Sequence, residues 1–374
     1  MDLPQGQSAF LWGARQTGKS TLLRQRFPDS VYIDLLNSDH VLSLSARPAR
    51  LGEILAAKTP DLLARPIVID EIQKVPSLLD EVHRLIESRG LSFILCGSSA
   101  RRLRRAGVNL LGGRAWRFDL FPLSWNEIPE FDLLQALNRG MLPSIYKQPD
   151  SKRSITAYVR DYLTEEIINE AATRNAPAFL RFFESLRFCH GELLNYTSIS
   201  RDCAADAKTV RTYFDILQDS LVGYRILPFR QNSGRQSIAA APKFYLFDVG
   251  VACHICGGPP ANAFGAEFGR AFEHFILLEL IAARGYREQD HPIEFWRTKS
   301  GLEVDFILGG GEVAVEVKTR VRHGDVRGLR AFIEEFSPRA AYIVSAEQDR
   351  RRLDAIDILP YSDFLRLLHD GDVI

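Results

Sequence analysis

The sequence predicts an α/β fold built on a mainly parallel sheet, and three observations carry that expectation. Over the first ~125 residues, short apolar runs alternate with segments whose apolar residues recur at helical spacing. A glycine-rich turn, Gly13–Ser20, joins the first apolar run to the first helical pattern. A third run, Pro66-Ile67-Val68-Ile69-Asp70, is apolar without alternation, as expected of a strand covered on both faces.

The strands expected in this region are Ser8–Trp12, Val31–Asp34, Pro66–Asp70, Ser92–Cys96 and Ala115–Leu120, each short, apolar and bounded by turn-forming or charged residues. Between them, Ser20–Phe27 and Val75–Ser88 read as helices; in the second, Leu78, Leu79, Val82, Leu85 and Ile86 fall along one face. From Asn126 to about Leu227 amphipathic helical patterns take over. A polar stretch, Gln231–Gln236, then precedes an apolar segment near Phe244–Phe247, a helix over Glu267–Ala283 and two strands near Gly301–Leu308 and Glu312–Lys318. The expected division is 1–125, 126–230 and 231–374. No internal repeat or low-complexity tract interrupts it.

Bulk properties narrow the function classes. A chain of 374 residues exceeds what one hydrophobic core usually organises. With 46% hydrophobic and 25% charged residues it has the composition of a soluble globular protein, and no uncharged apolar run approaches the ~20 residues that span a bilayer. Lys and Arg number 47, equal to Asp and Glu, so no global field draws it to nucleic acid; any such contact must come from a local patch. Five scattered cysteines and no signal peptide point to a reducing compartment, the cytoplasm. Cys253-His254-Ile255-Cys256 has CxxC spacing but no second pair at zinc-ribbon distance, and is expected to be an ordinary packed segment.

The segment Gly13-Ala14-Arg15-Gln16-Thr17-Gly18-Lys19-Ser20, followed by Thr21, fits GxxxxGK[ST] and lies between an expected strand and an expected helix. Such a loop turns backbone N–H groups onto phosphate oxygens, and the helix N-terminus adds a favourable dipole. ATP with Mg²⁺ is the expected ligand: Lys19 would reach the β- and γ-phosphates, and Ser20 would ligate the metal. Asp70 would hold Mg²⁺ from the opposite side, and Glu71 would orient or deprotonate the attacking water. Ser98 or Ser99, after the strand Ser92–Cys96, is placed to contact the γ-phosphate. Of the arginines that follow, Arg101, Arg102, Arg104 and Arg105 read equally well as a solvated face, and Arg114 is chosen to stabilise transition-state charge, in this or a neighbouring subunit.

These pieces, Gly13–Thr21, Val68–Gln73, Cys96–Ala100 and Gly112–Ile128, together resemble a family of prokaryotic AAA-type P-loop ATPases whose C-terminal region is labelled a domain of unknown function. The resemblance continues through Asp161-Tyr162-Leu163, Lys243–Gly250 and Phe295–Lys318. The family has a helix before its first strand, whereas seven residues precede Ser8 here. The resemblance also implies subunit interfaces and thus a homo-oligomer.

In the middle region, two helical patterns within Gly191–Phe229 flank a turn at Ala204-Ala205-Asp206, and Gly223–Phe229 can return as a strand. This is a helix-turn-helix arrangement with a possible wing, and the resemblance implies the same winged-helix-like module. Lys208, Arg211 and Thr212 would face DNA; interdomain or protein contact is the rival role, and Asp202, Asp206, Asp215 and Asp219 dilute the positive charge.

The C-terminal segments Gly301–Leu308 and Glu312–Lys318 read as a hairpin. Asp305 followed by Glu316-x-Lys318 resembles the restriction-endonuclease-like PD-(D/E)xK core, in which the carboxylates hold Mg²⁺ and the lysine assists water attack; Glu273 matches the additional acidic position. Register decides whether the carboxylates meet. An even number of loop residues, or a bulge, brings Asp305 and Glu316 together, whereas a regular three-glycine loop pairs Val304 with Glu316 and separates them. A strand pair with a solvated acidic edge, or a nuclease fold without cleavage activity in an ATP-switched regulator, are the alternatives.

Overall fold

The computed structural model describes residues 2–98, 103, 111–163, 176–230, 241–258 and 265–374. Ser99, Arg101, Arg102, Arg104, Arg105 and Gln231–Gln236 lie outside the described residues. The chain divides into two compact units, the first running to Pro122 with Asp219–Val222, the second comprising Leu123–Gln218 and Gly223–Ile374.

The first unit contains five strands: β1 (Ser8–Trp12), β2 (Tyr32–Asp34), β3 (Ile67–Asp70), β4 (Phe93–Gly97) and β5 (Ala115–Asp119). They form one sheet in the order β2-β3-β4-β1-β5, and every pairing is parallel, as the apolar runs predict. Both faces are covered, and for that reason the runs do not alternate. Phe10, Trp12, Ile67, Ile69, Phe93 and Leu95 enter one core with the helix Leu78–Arg89, while Leu11, Val68, Ile94 and Cys96 enter another with Leu23 of the helix Lys19–Arg26. Each fully buried aliphatic side chain contributes about 1.5–3 kcal/mol of transfer free energy.

The chain leaves β1 for the far edge at β2, returns through β3 and β4, then crosses β1 to reach β5. This order gathers the loops after β1, β3 and β4 at the carboxyl ends of adjacent strands, where open parallel sheets bind ligands.

The second unit is built on an eight-stranded mixed sheet, β12-β13-β11-β10-β9-β8-β6-β7. Its strands are β6 (Gly223–Pro228), β7 (Lys243–Leu246), β8 (Ile293–Arg297), β9 (Glu303–Leu308), β10 (Val313–Lys318), β11 (Ala340–Ser345), β12 (Arg351–Leu353) and β13 (Ile356–Pro360). Because β6 pairs with both β7 and β8, the sheet runs across the boundary expected near residue 230. Phe229, Trp296, Val304, Ile307, Ala314, Leu329, Phe332 and Ile343 form a core there with the helix Arg327–Phe336.

Two features of this unit explain its sequence pattern. Asp248 is buried, accepts from Val251 N at 2.9 Å to cap the helix Val249–Ile255, and accepts from Met141 N at 2.6 Å. Gly140 must be glycine beside it: its φ is 77°, and a Cβ would lie 2.2 Å from Asp248 Oδ1. The other is the helix Ala266–Tyr286, whose Glu279 accepts from Trp125 N at 2.8 Å and pairs with His369 Nε2 at 2.8 Å.

All five cysteines are free; Cys253 and Cys256 sit in and just after the helix Val249–Ile255, with burial pushing their thiols up to about 12 and about 11. Among the described residues, no helix is long and apolar enough to cross a membrane.

Candidate nucleotide site and carboxylate cluster

The loop after β1 turns tightly because its glycines permit it. Gly18 adopts φ 95° as it enters the helix Lys19–Arg26, and Gln16 also has positive φ, 67°. A Cβ on Gly13 would lie 2.5 Å from Leu120 O, so only glycine lets the loop pass the chain leaving β5. Thr17 Oγ1 donates to Ala14 O at 2.8 Å, and Lys19 Nζ donates to Gly13 O and Ala14 O at 2.8 and 3.0 Å. Burial lowers the Lys19 pKa, an effect opposed in part by Glu71 and Asp70. Arg15, Gln16 and Thr21 are exposed.

At the end of β3, Asp70 is buried and receives two hydroxyls on Oδ2, from Ser20 at 2.6 Å and Tyr32 at 2.5 Å, while Oδ1 accepts from Glu71 N at 3.0 Å. Glu71 follows in the left-handed region, φ 60°. Burial raises its pKa, countered by Lys19 and by a hydrogen bond from Gln73. Gln73 Nε2 donates to Glu71 Oε2 and, at 3.1 Å, to Ser98 Oγ at the end of β4. The structure therefore brings Lys19, Ser20, Asp70, Glu71 and Ser98 to one edge of the sheet.

Arg114 is not among them. It precedes Ala115, which pairs with Ser8 at the start of β1, so it lies at the amino edge of the parallel sheet, opposite the phosphate loop, exposed and ion-paired with Glu87. Within one chain it cannot meet a γ-phosphate held by Gly13–Ser20. Tyr32 and Gln73, which sequence reasoning did not single out, are part of the site instead.

In the second unit, the turn between β9 and β10 is Gly309–Glu312, not three glycines alone, because the ladder closes at Leu308 and Val313. The pairs Val313–Leu308, Ala314–Ile307 and Val315–Phe306 carry the register forward so that Glu316 comes opposite Asp305. Beyond the Val315–Phe306 pair the carboxylates take up backbone donors: Val317 N donates to Asp305 Oδ2 at 2.8 Å and Asp305 N to Glu316 Oε2 at 3.3 Å. Lys318 Nζ lies 2.5 Å from Glu316 Oε1 and 3.9 Å from Asp305 Oδ2. The alternative of a solvated acidic edge does not hold, because Asp305 and Glu316 are both buried.

Glu273, on the helix Ala266–Tyr286, joins the cluster through β7. Tyr245 OH donates to Glu273 Oε1 at 2.7 Å, and Lys243 Nζ lies 3.9 Å from Glu273 and 2.7 Å from Glu303. Burial first, then the nearby Asp305 charge, pushes Glu273 up to about 7 and Glu316 up to about 8. For Lys318, burial acts downward but is outweighed by Asp305 and Glu316, which raise its pKa. Lys243, Tyr245 and Glu303 were not foreseen. Among the described residues no group of three or more His, Cys, Asp or Glu side chains is arranged to hold a metal ion.

The parallel sheet order, the glycine loop after β1 and the acid pair ending β3 define the first unit as an ATPase-type P-loop domain. Residues 5–129 match the family model described as an AAA domain. Residues 130–262 and 268–364 match two further families, each described as a domain of unknown function, DUF8612 and DUF4143. The chain thus carries an AAA domain at its N-terminal end, followed by two regions that match domains of unknown function.

Uncharacterized proteins are similar along most of this length. One from Mycobacterium tuberculosis is 24% identical over 368 residues, covering 95% of this chain and 80% of the relative. Another from Haemophilus influenzae is 23% identical over 324 residues, covering 79% and 78%. A third from Methanocaldococcus jannaschii is 23% identical over 344 residues, covering 80% and 71%.

Proposed function

We propose that this protein is a Mg²⁺-dependent ATPase whose nucleotide cycle governs a nucleic-acid-acting second unit. The observation that carries the ATPase reading is the 2.6 Å contact between Ser20 Oγ and Asp70 Oδ2, which gathers two oxygen donors beside the phosphate loop. They suit Mg²⁺, which takes oxygen ligands and commonly one or two carboxylates with waters and phosphates. Bound Mg²⁺ would supply charge neutralisation at the phosphates. Gly13–Ser20 would cradle the phosphates, the Lys19 ammonium would turn onto the β- and γ-oxygens, and Glu71, made more basic by burial, would orient the water and accept its proton. An arginine acting on the γ-phosphate would have to be one other than Arg114 of the same chain, or Arg114 of a neighbouring copy. Phosphate release by wild type and Glu71→Gln tests this reading: a loss of at least ~100-fold is expected, and equal rates would overturn it.

The second unit supports a nuclease-like reading through Asp305, Glu316, Lys318 and Glu273, which converge although they come from two strands and a helix. Asp305 and Glu316 would hold a divalent ion, and Lys318 would place positive charge beside it. A nucleic acid would reach this unit through the paired helices Tyr196–Cys203 and Ala207–Asp219, followed by the antiparallel β6–β7 pair, a winged-helix-like order in which Lys208, Arg211 and Thr212 are exposed. Divalent-dependent cleavage of DNA or RNA by wild type but not Lys318→Ala is expected. Equal background in both, with ATP-dependent gel shift retained, would favour the switched regulator with an inert nuclease fold.

A further inference from the structure

The nucleotide site contains one buried polar side chain that neither phosphate binding nor metal binding explains. Gln73 sits in the 3₁₀ turn Ile72–Lys74 after β3 and is 4% exposed. Its Nε2 donates both to Glu71 Oε2 and to Ser98 Oγ. An ionised carboxylate only accepts, so Glu71 fixes which end of the amide faces it. Ser98 Oγ is then an acceptor toward Gln73 and keeps its own hydrogen for another partner.

Two further facts argue against Gln73 being a filler. Its Oε1 is buried with no hydrogen-bond partner among the described residues, a cost that an apolar side chain of the same length would avoid. Room for the amide also depends on Gly97: a Cβ there would lie 2.4 Å from Gln73 Oε1 and 2.8 Å from Trp12 Cζ3. Gly97 is not among the glycines with positive φ, so space and not backbone conformation calls for it.

We infer that Gln73 is a positioning residue coupling Ser98 to Glu71. One N–H holds the Glu71 carboxylate, and the other, by occupying Ser98 Oγ, leaves the serine hydroxyl hydrogen to be offered to the γ-phosphate. A phosphate oxygen engaged by Ser98 thereby bears on the aim of Glu71, and ATP is distinguished from ADP at the residue that handles the water. This inference rests on the assignment of Glu71 as that residue.

The test compares ATP turnover, and binding of a fluorescent ATP analogue, for the full-length wild type, Gln73→Met, Ser98→Ala and the double variant, with Glu71→Gln alongside. Gln73→Met keeps the volume and removes both donors. It is expected to lower kcat by about 10- to 100-fold while KM and analogue affinity stay within about threefold, with the double variant no more than about threefold below the slower single one. Gln73→Glu, which keeps the length but places a second carboxylate against Glu71, is expected to lose at least as much, and serves if Gln73→Met does not fold. A kcat for the Gln73 variants within twofold of wild type while Glu71→Gln is inactive, or losses that multiply independently in the double variant, would overturn the coupling. Wild-type turnover in Glu71→Gln would instead overturn the assignment of Glu71 itself, and the coupling with it.

Discussion

Replacing Asp248 with alanine should open the junction between the segment around Met141 and the helix Val249–Ile255. The carboxylate accepts from Val251 N at 2.9 Å and Met141 N at 2.6 Å, and it is 1% exposed. Loss of the cap costs about 1 kcal/mol. Leaving the Met141 N–H buried without an acceptor costs a further 1–3 kcal/mol or so. Burial lifts the Asp248 pKa to about 6, so the side chain is ionised at pH 8 and the comparison belongs there. A local opening free energy reduced by about 2–4 kcal/mol corresponds to amide exchange roughly 30- to 1,000-fold faster. Hydrogen exchange read by mass spectrometry on peptides spanning Met141 and Val251 measures this directly. Exchange within about threefold of wild type in both peptides would refute the assignment of Asp248 as their shared acceptor.

Acid should reveal His274, which is fully buried, has Nε2 2.6 Å from Leu246 O, and is lowered by burial to about 4. The native state leaves it neutral while the unfolded chain protonates below its usual 6.5, so its contribution is lost as pH falls from about 6.5 to 4, by up to ~3 kcal/mol. Asp248, Glu273 and Glu316, raised to about 6, 7 and 8, act in the opposite sense, because the folded state holds their protons more tightly. The informative quantity is therefore the stability difference between wild type and His274→Gln, measured by urea unfolding from pH 8 to pH 4; a pH-independent difference would contradict the argument. Ser20→Ala should raise the Mg²⁺ concentration for half-maximal ATP turnover by about tenfold, which is ~1.4 kcal/mol, and an unchanged Mg²⁺ titration would remove Ser20 from the metal seat.

Much of the first unit could be read locally. Ser8–Trp12 and Ile67–Asp70 are apolar without alternation because helices cover both faces, and the glycine loop announces its own position. What the local pattern did not contain was strand order. Tyr32 reaches Asp70 because β2 lies beside β3, and Gln73 reaches Ser98 because β3 lies beside β4. Arg114 lies away from the phosphate loop of its own chain, and the signal for that existed: a residue just before a parallel strand lies at the sheet edge opposite a loop that follows its neighbour. In the second unit the Asp305, Glu316 and Lys318 spacing was legible, but Lys243 and Tyr245 were not, since β7 meets Glu273 only through tertiary packing. The strand pairing across residue 230 was hidden for a similar reason, because β6 is hydrogen-bonded to strands that follow it by many residues.

The turn Gly309–Glu312 fixes more than a register. Since side chains alternate along a strand, the meeting of Asp305 and Glu316 depends on the ladder closing at Leu308 and Val313 and not on the composition of the turn. Length changes that the turn absorbs outside the Leu308–Val313 pair leave the cluster whole, whereas a one-residue change that slips the ladder itself dismantles it without altering any charged residue, unless a bulge restores the phase. Homologues can thus lose this centre through a single-codon insertion or deletion while every acidic and basic position still aligns.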